Sequence, residues 1–184
     1  MTMTPLHLTE HGHGLADVGI VISAHTFGMF ALSPLSGRLT DRLGSVTIIF
    51  AGTVVLAAAA ALTAIAPPDA RDVIFLAMLL LGWGWNLGFV AGSRLLTATL
   101  TSAERARTQG FADALIWSSA AVASAGSGVI VAVASYATLG LLGLAIIAIP
   151  IVVVVSRRAA VELAVGRPST PTTIPAELDV IGEL

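Results

Sequence analysis

The chain has 184 residues, of which 56% are hydrophobic and only 11% charged, with a formal net charge of −2 and a mean hydropathy of +0.93. A water-soluble domain of this size needs roughly 25% charged residues to cover its surface, so a soluble enzyme, a nucleic-acid binder and a disordered chain are excluded as readings of the whole sequence. Every basic residue is an arginine, cysteine is absent, and no signal-peptide pattern is read at the N-terminus. What remains is an all-α, polytopic transmembrane helical bundle.

Residues 1–17 read as an external segment, the remnant of a truncated helix and the loop after it. Met1–Leu8 is apolar but far too short to cross about 30 Å of hydrocarbon, which takes about 20 apolar residues. Five spans follow, at about 18–36, 46–66, 73–93, 111–133 and 137–155. The first is the least apolar, because it holds His25 and Pro34. The breaks between them are expected at Gly37–Ser45, Ala66–Asp72, Thr97–Gly110 and Ala134–Tyr136. From Ser156 the sequence turns polar, and Pro168, Pro171 and Pro175 interrupt any helix, so 156–184 is expected to be a mobile tail. A chain beginning late, with upstream residues completing a sixth helix, is the simplest account of Met1–Leu8; a genuine five-span protein is the alternative.

Five spans put the ends on opposite sides. Seven of the nine arginines (Arg38, Arg42, Arg105, Arg107, Arg157, Arg158 and Arg167) fall on one side, against Arg71 alone on the other, with Arg94 near the inner end of its span. The excess of positive charge marks the cytoplasmic face. The C-terminus is therefore expected inside, in the inner (plasma) membrane.

Among polar groups within spans, each a functional candidate by default, His25, Asn86, Arg94 and Asp113 stand out for the cavity or for coupling. His25 has a pKa range suited to proton transfer, but a hydrogen-bonded packing role fits it as well. Asn86 either lines a cavity or bonds a neighbouring helix. Asp113 is expected to bridge Arg94, Arg105 or Arg107 rather than to carry protons. Gly84, Gly88 and Gly92 recur on one helix face, and Ala120, Ser124 and Gly128 on another, at the spacing that lets membrane helices approach closely. His7-Leu-Thr-Glu10-His11 matches a zinc-peptidase pattern, but Pro5 before it and Gly12 and Gly14 after it interrupt the helix such a site needs. No catalytic residue, metal ligand or cofactor site is read from the sequence, and no phosphate-binding loop for ATP is present.

Between the first two spans lies Gly37-Arg38-Leu-Thr-Asp41-Arg42-Leu-Gly44. Gly-x-x-x-Asp-Arg-x-Gly in that place resembles the cytoplasmic signature loop of major facilitator superfamily transporters, although Ser45 and Val46 stand where the family has a basic pair. The likeness extends from Met3 to Tyr136. Met3-Thr-Pro-Leu-His7 resembles the outer end of the seventh helix of a bacterial, efflux-like subgroup. Gly84–Ser93 and Glu104–Asp113 resemble later stretches of it, with Arg94 departing from the usual small residue. The resemblance implies that the spans are helices eight to twelve of a twelve-helix protein, half of a pair of six-helix bundles around a central cavity. It also implies that the Gly37–Gly44 motif is a conformational latch. The function implied is secondary or facilitated movement of a small solute by alternating access, most commonly efflux. The expected partners are that solute, the lipid bilayer, and a missing N-terminal six-helix half or another copy, with no nucleic acid. The competing reading is a small non-transporting membrane protein that assembles through its glycine faces; an intramembrane or zinc-dependent enzyme is less favoured.

Overall fold

The computed structural model describes residues 2–67 and 70–165, which form seven helices with no strand among them. They are α1 (Thr4–Glu10), α2 (Leu15–Phe30), α3 (Ser33–Leu43), α4 (Ser45–Ile65), α5 (Arg71–Thr97), α6 (Ser102–Val133) and α7 (Tyr136–Val165). α2 and α3 form one span, Leu15–Leu43, broken at Ala31–Leu32. The break follows from Pro34, which has no N–H to offer the Phe30 carbonyl and whose ring crowds it. Leu15–Leu43, Ser45–Ile65, Arg71–Thr97 and Ser102–Val133 are each long and apolar enough to cross a bilayer; the shortest, with 21 residues, is about 32 Å long. The fifth expected span is the start of α7, whose apolar stretch among the described residues is Tyr136–Ile149.

Two expected breaks are shorter than the sequence suggests, and the last helix runs further. Gly37–Leu43 is helical rather than a loop, because Pro34 is well placed in the first turn of a helix and restarts one, and Arg38, Thr40 and Asp41 continue it. Only Gly44, at φ +83°, leaves the helix and turns the chain straight into α4; a β-carbon would be strained there. Likewise only Ala98–Thr101 separates α5 from α6. Glu104 accepts hydrogen bonds from the Thr101 N–H at 2.9 Å and the Thr101 hydroxyl at 2.6 Å, closing the first turn of α6 well before the expected span. Finally, α7 runs through Ser156 to Val165, past the point where a tail was expected. Alanines 159 and 160 favour helix, and after Ser156 the first strong breaker in the sequence is Gly166. The rest of the expected tail, with its three prolines, lies outside the described residues.

α5 is the hub. On one side it packs against α2, where a β-carbon built on Gly28 would meet the Leu79 carbonyl oxygen and lie 2.9 Å from the Trp83 nitrogen. On another it packs against α4, where one built on Gly52 would lie 2.9 Å from the Gly84 carbonyl oxygen. Both contacts bring backbone against backbone, closer than any side chain permits. Leu8, Val18, Val21, Ile74 and Met78 form a core at one end of the bundle, and Ile48, Leu87 and Ala91 another toward the Gly44 end. α7 lies against α4, with Gly140 beside Ala60 and Ala64. α6 buries none of its residues. Large apolar side chains such as Phe27, Phe30, Leu115, Val122 and Val129 point outward along the spans, as lipid-facing surface requires.

Candidate functional site

The alternating helix directions gather the α3 end, the α4 start, the α5 end and the α6 start at one end of the bundle. Arg38, Arg42, Arg94, Arg105 and Arg107 all lie there, and Arg71 lies at the other. At this arginine-rich end Asp41 of α3 and Arg94 of α5 form an ion pair, Nη1 to Oδ1. Both side chains are more than half exposed, at 67% and 52%. The pair ties the end of the broken span to the end of the hub helix, directly beside the Gly44 turn. Gly37 does not contribute a close approach, since a β-carbon there would meet nothing within 4 Å. Arg38 and Arg42 are exposed.

One level deeper, the helix break is closed by Asn86. Its side chain is buried, donates to the Met29 carbonyl at 2.7 Å and to the Ser33 hydroxyl at 2.8 Å, and accepts from the Ser36 hydroxyl. A break at membrane depth strands carbonyl groups that water cannot reach, and an amide is the side chain that offers two donors and an acceptor at once. Ser33 and Ser36 were not singled out from sequence. Serine beside Pro34 carries the signal, since broken membrane helices are re-satisfied by such hydroxyls.

His25, also buried, donates from Nδ1 to the Met78 carbonyl at 3.2 Å, crossing from α2 to α5 three residues from the Gly28 contact. Asp113 does not bridge an arginine as expected. Arg94 is engaged by Asp41 and Arg105 donates to the Leu100 carbonyl, while Asp113 accepts from Gln109 Nε2 at 2.8 Å. Gln109 also reaches the Ser93 hydroxyl of α5 at 3.2 Å.

The two small-residue stripes divide. Gly84 lies against α4, but β-carbons built on Gly88 and Gly92 would meet nothing within 4 Å. The reason is helical position: each step of four residues turns the face away from α4, so Gly84 meets it and the next two meet nothing. Of the second stripe, Ala120 is exposed, Ser124 bonds Thr2 through their hydroxyls at 2.6 Å, and Gly128 has only the Met3 side chain near it, at 3.8 Å.

At the opposite end Asp17 holds Arg71 at 2.9 Å and His13 at 3.7 Å. His7 stacks on the Tyr136 ring with centroids 4.1 Å apart and planes 9° apart, and the His11 ring lies 4.4 Å away. Thr4 shares a 3.0 Å hydrogen bond with the Tyr136 hydroxyl. The zinc-like pattern is thus a clasp holding α1 against α7. His11 Nδ1 is engaged by the His7 carbonyl at 2.7 Å, and Glu10 is exposed.

A family model described as Major Facilitator Superfamily matches residues 1–178. Two uncharacterized MFS-type transporters of Bacillus subtilis are similar: YddS, 43% identical over 160 residues, and YdeG, 42% identical over 155. These alignments cover 86% and 83% of this chain but 37% and 36% of the relatives. The riboflavin transporter RfnT of Brucella anthropi is 32% identical over 159 residues, covering 85% of this chain and 39% of that protein. The chain therefore spans well under half the length of the curated relatives it matches.

Proposed function

The chain belongs to the Major Facilitator Superfamily, and from that membership we propose that it supplies the C-terminal half-bundle of a transporter exporting a small solute across the inner membrane by alternating access. α2–α3 and α4 to α7 are then helices eight to twelve, with the C-terminus in the cytoplasm. The other walls of the cavity come from an N-terminal six-helix half or a second copy. The arginine-rich end of the bundle supports the orientation, and the likeness of Gly84–Ser93 and Glu104–Asp113 to an efflux-type subgroup supports the direction. That the chain spans 37% of its relative YddS supports a half-bundle.

The observation that carries the reading is the Asp41–Arg94 pair at the Gly44 turn. Alternating access needs contacts that exist in one state and break in the other. An exposed ion pair between two helix ends suits this, because water stands ready to solvate both groups when it opens. Being exposed, it contributes at most about 1 kcal/mol, enough to shift a two-state balance about fivefold.

Vesicles containing this chain together with a matching six-helix half should take up solute saturably, and vesicles with the chain alone should not. Riboflavin is the first solute to assay, because one relative is named for it. Asp41→Asn should slow uptake up to about fivefold while leaving equilibrium binding nearly unchanged. Normal uptake by Asp41→Asn would reduce the motif to a charge anchor, and saturable uptake by the chain alone would replace the two-half scheme with an assembly of copies.

A further inference from the structure

α2 and α4 occupy two faces of α5. Its third face carries Trp85, Gly88, Phe89 and Gly92, residues three or four apart that share one side of a helix. Opposite stands α6, with no buried residue. Trp117 approaches Trp85 there, and Gln109 reaches Ser93. Between the Trp85 and Ser93 contacts, a β-carbon built on Gly88 or Gly92 would meet nothing within 4 Å.

The usual reasons for tryptophan do not account for this pair. Membrane tryptophans ordinarily anchor at the headgroup level, but Trp85 lies 14 residues after Arg71 and Trp117 15 residues after Ser102. That puts each roughly 21–23 Å along its helix, near the middle of the span. Nor are they packed as a core pair. Trp85 stacks on its own helix neighbour Phe89 at 4.7 Å and 12° and meets Trp117 in a tilted contact at 6.2 Å and 48°, with Trp117 55% exposed. Neither indole N–H has a hydrogen-bond partner among the described residues.

We propose that Trp85 and Trp117 are the two jaws of the solute site, and that the solute is a planar, fused heteroaromatic molecule with an N–H or O–H donor on its edge. The inference rests on the transport reading above. A flat ring held between two others needs centroids about 7 Å apart, twice a carbon–carbon contact of about 3.5 Å. From 6.2 Å and 48°, a rotation of the exposed Trp117 ring opens that gap, and the bare flank at Gly88 and Gly92 leaves room for the solute's edge. Asp113, one turn from Trp117, provides the polar end. Gln109 is its hydrogen-bond partner among the described residues, and a carboxylate keeps further acceptor capacity for an edge donor. A sugar lacks a flat π-face, and a tetrahedral organic cation is too thick for the slot.

The chain in lipid nanodiscs should bind riboflavin, a fused planar heteroaromatic with an imide N–H, saturably and with quenching of flavin fluorescence. Ribitol, its ring-less polyol portion, should not compete. Trp117→Leu and Trp85→Leu should each weaken binding about tenfold, the usual worth of one aromatic stack. Trp83→Phe, on the α4 side, should leave it unchanged. Trp117 is exposed, so its removal spares the packed helices, and circular dichroism checks each variant. No saturable binding, binding indifferent to both tryptophans, or competition by ribitol would overturn the proposal. Uptake of the same probe in the two-half vesicles separates the two readings. Binding that follows the tryptophans without transport keeps the jaws and removes the transporter; transport that ignores both does the reverse.

Discussion

α5 and α6 are both long apolar helices with glycine and small residues at helical spacing, yet α5 buries eight residues and α6 buries none. The difference lies in what stands opposite each small residue. Gly82 and Gly84 of α5 meet the backbones of α2 and α4, so the helices lock without an intervening side chain. The small residues of α6 meet open space or a side-chain tip. Within a membrane, lipid is as apolar as leucine, and burial alone does not drive helices together. Apolarity therefore puts both helices in the bilayer, and only close complementary contact makes one of them a hub.

The strongest way to break this contrast is steric. Gly82→Leu should prevent α2 from seating, because its β-carbon already collides with the His25 carbonyl oxygen. Overpacking of this kind costs about 1–3 kcal/mol or more, a large fraction of a marginal stability. Gly92→Ala should be neutral or slightly stabilising, given alanine's advantage of about 1 kcal/mol in a helix. Thermal unfolding in detergent compares the two, and equal effects would remove the distinction between locked and open faces.

A smaller effect is expected where polarity rather than shape does the locking. Asn86→Leu leaves the Met29 carbonyl and two serine hydroxyls without their partner and should destabilise by about 1–3 kcal/mol. Amide exchange should rise at residues 29–36 and stay unchanged in α6. Exchange that does not move would mean that the break is held by packing instead. Smaller again, Asp41→Asn should change thermal stability by less than about 1 kcal/mol, because the pair is exposed, and that small change should itself vanish at high salt. A large loss of stability would make the pair a structural strut and not a latch.

The mildest effect belongs to the histidine clasp. Burial first, then the neighbouring His11, holds the His7 pKa below its ordinary value, with Glu10 opposing and His13 adding a little. A depressed histidine means that the docked state binds fewer protons than the undocked one. Its contribution to docking is thus complete above the ordinary histidine value of about 6.5, and is lost as pH falls through the lowered value. Protease cleavage at residues 4–10 should accelerate on acidification, and His7→Phe, which keeps a ring on Tyr136, should flatten that response. Cleavage that slows on acidification would reverse the sign.

Several polar groups of the candidate site stood out in the sequence itself. Asp41, Arg94, His25 and Asn86 announced themselves as polar groups in or at apolar spans, where every such group needs a reason. Their partners were not legible. Asp113 was matched with arginines because sequence distance and charge favoured them; Gln109, one helical turn away, holds it instead, since a short hydrogen bond on the same face forms without moving a backbone. Gly88 and Gly92 continued the spacing of Gly84, but spacing gives a face and not what lies across from it.

The sequence by itself determined that this chain is a helical membrane bundle and which end gathers the arginines. These follow from summed hydropathy and from the rule that backbone polar groups inside lipid must satisfy one another within each helix. It also determined the Gly44 turn, a one-residue consequence of backbone chemistry, whereas the break before Pro34 and the helix after it emerged only in the structure. Only the tertiary structure decided that α5 is the hub, that Asn86 closes the break, that Asp41 takes Arg94, and that Trp85 meets Trp117 across α5 and α6. Those are pairings between residues 32 to 57 positions apart. The free energies that select them come from a few ångströms of fit between helix surfaces, and a linear sequence does not encode that distance directly.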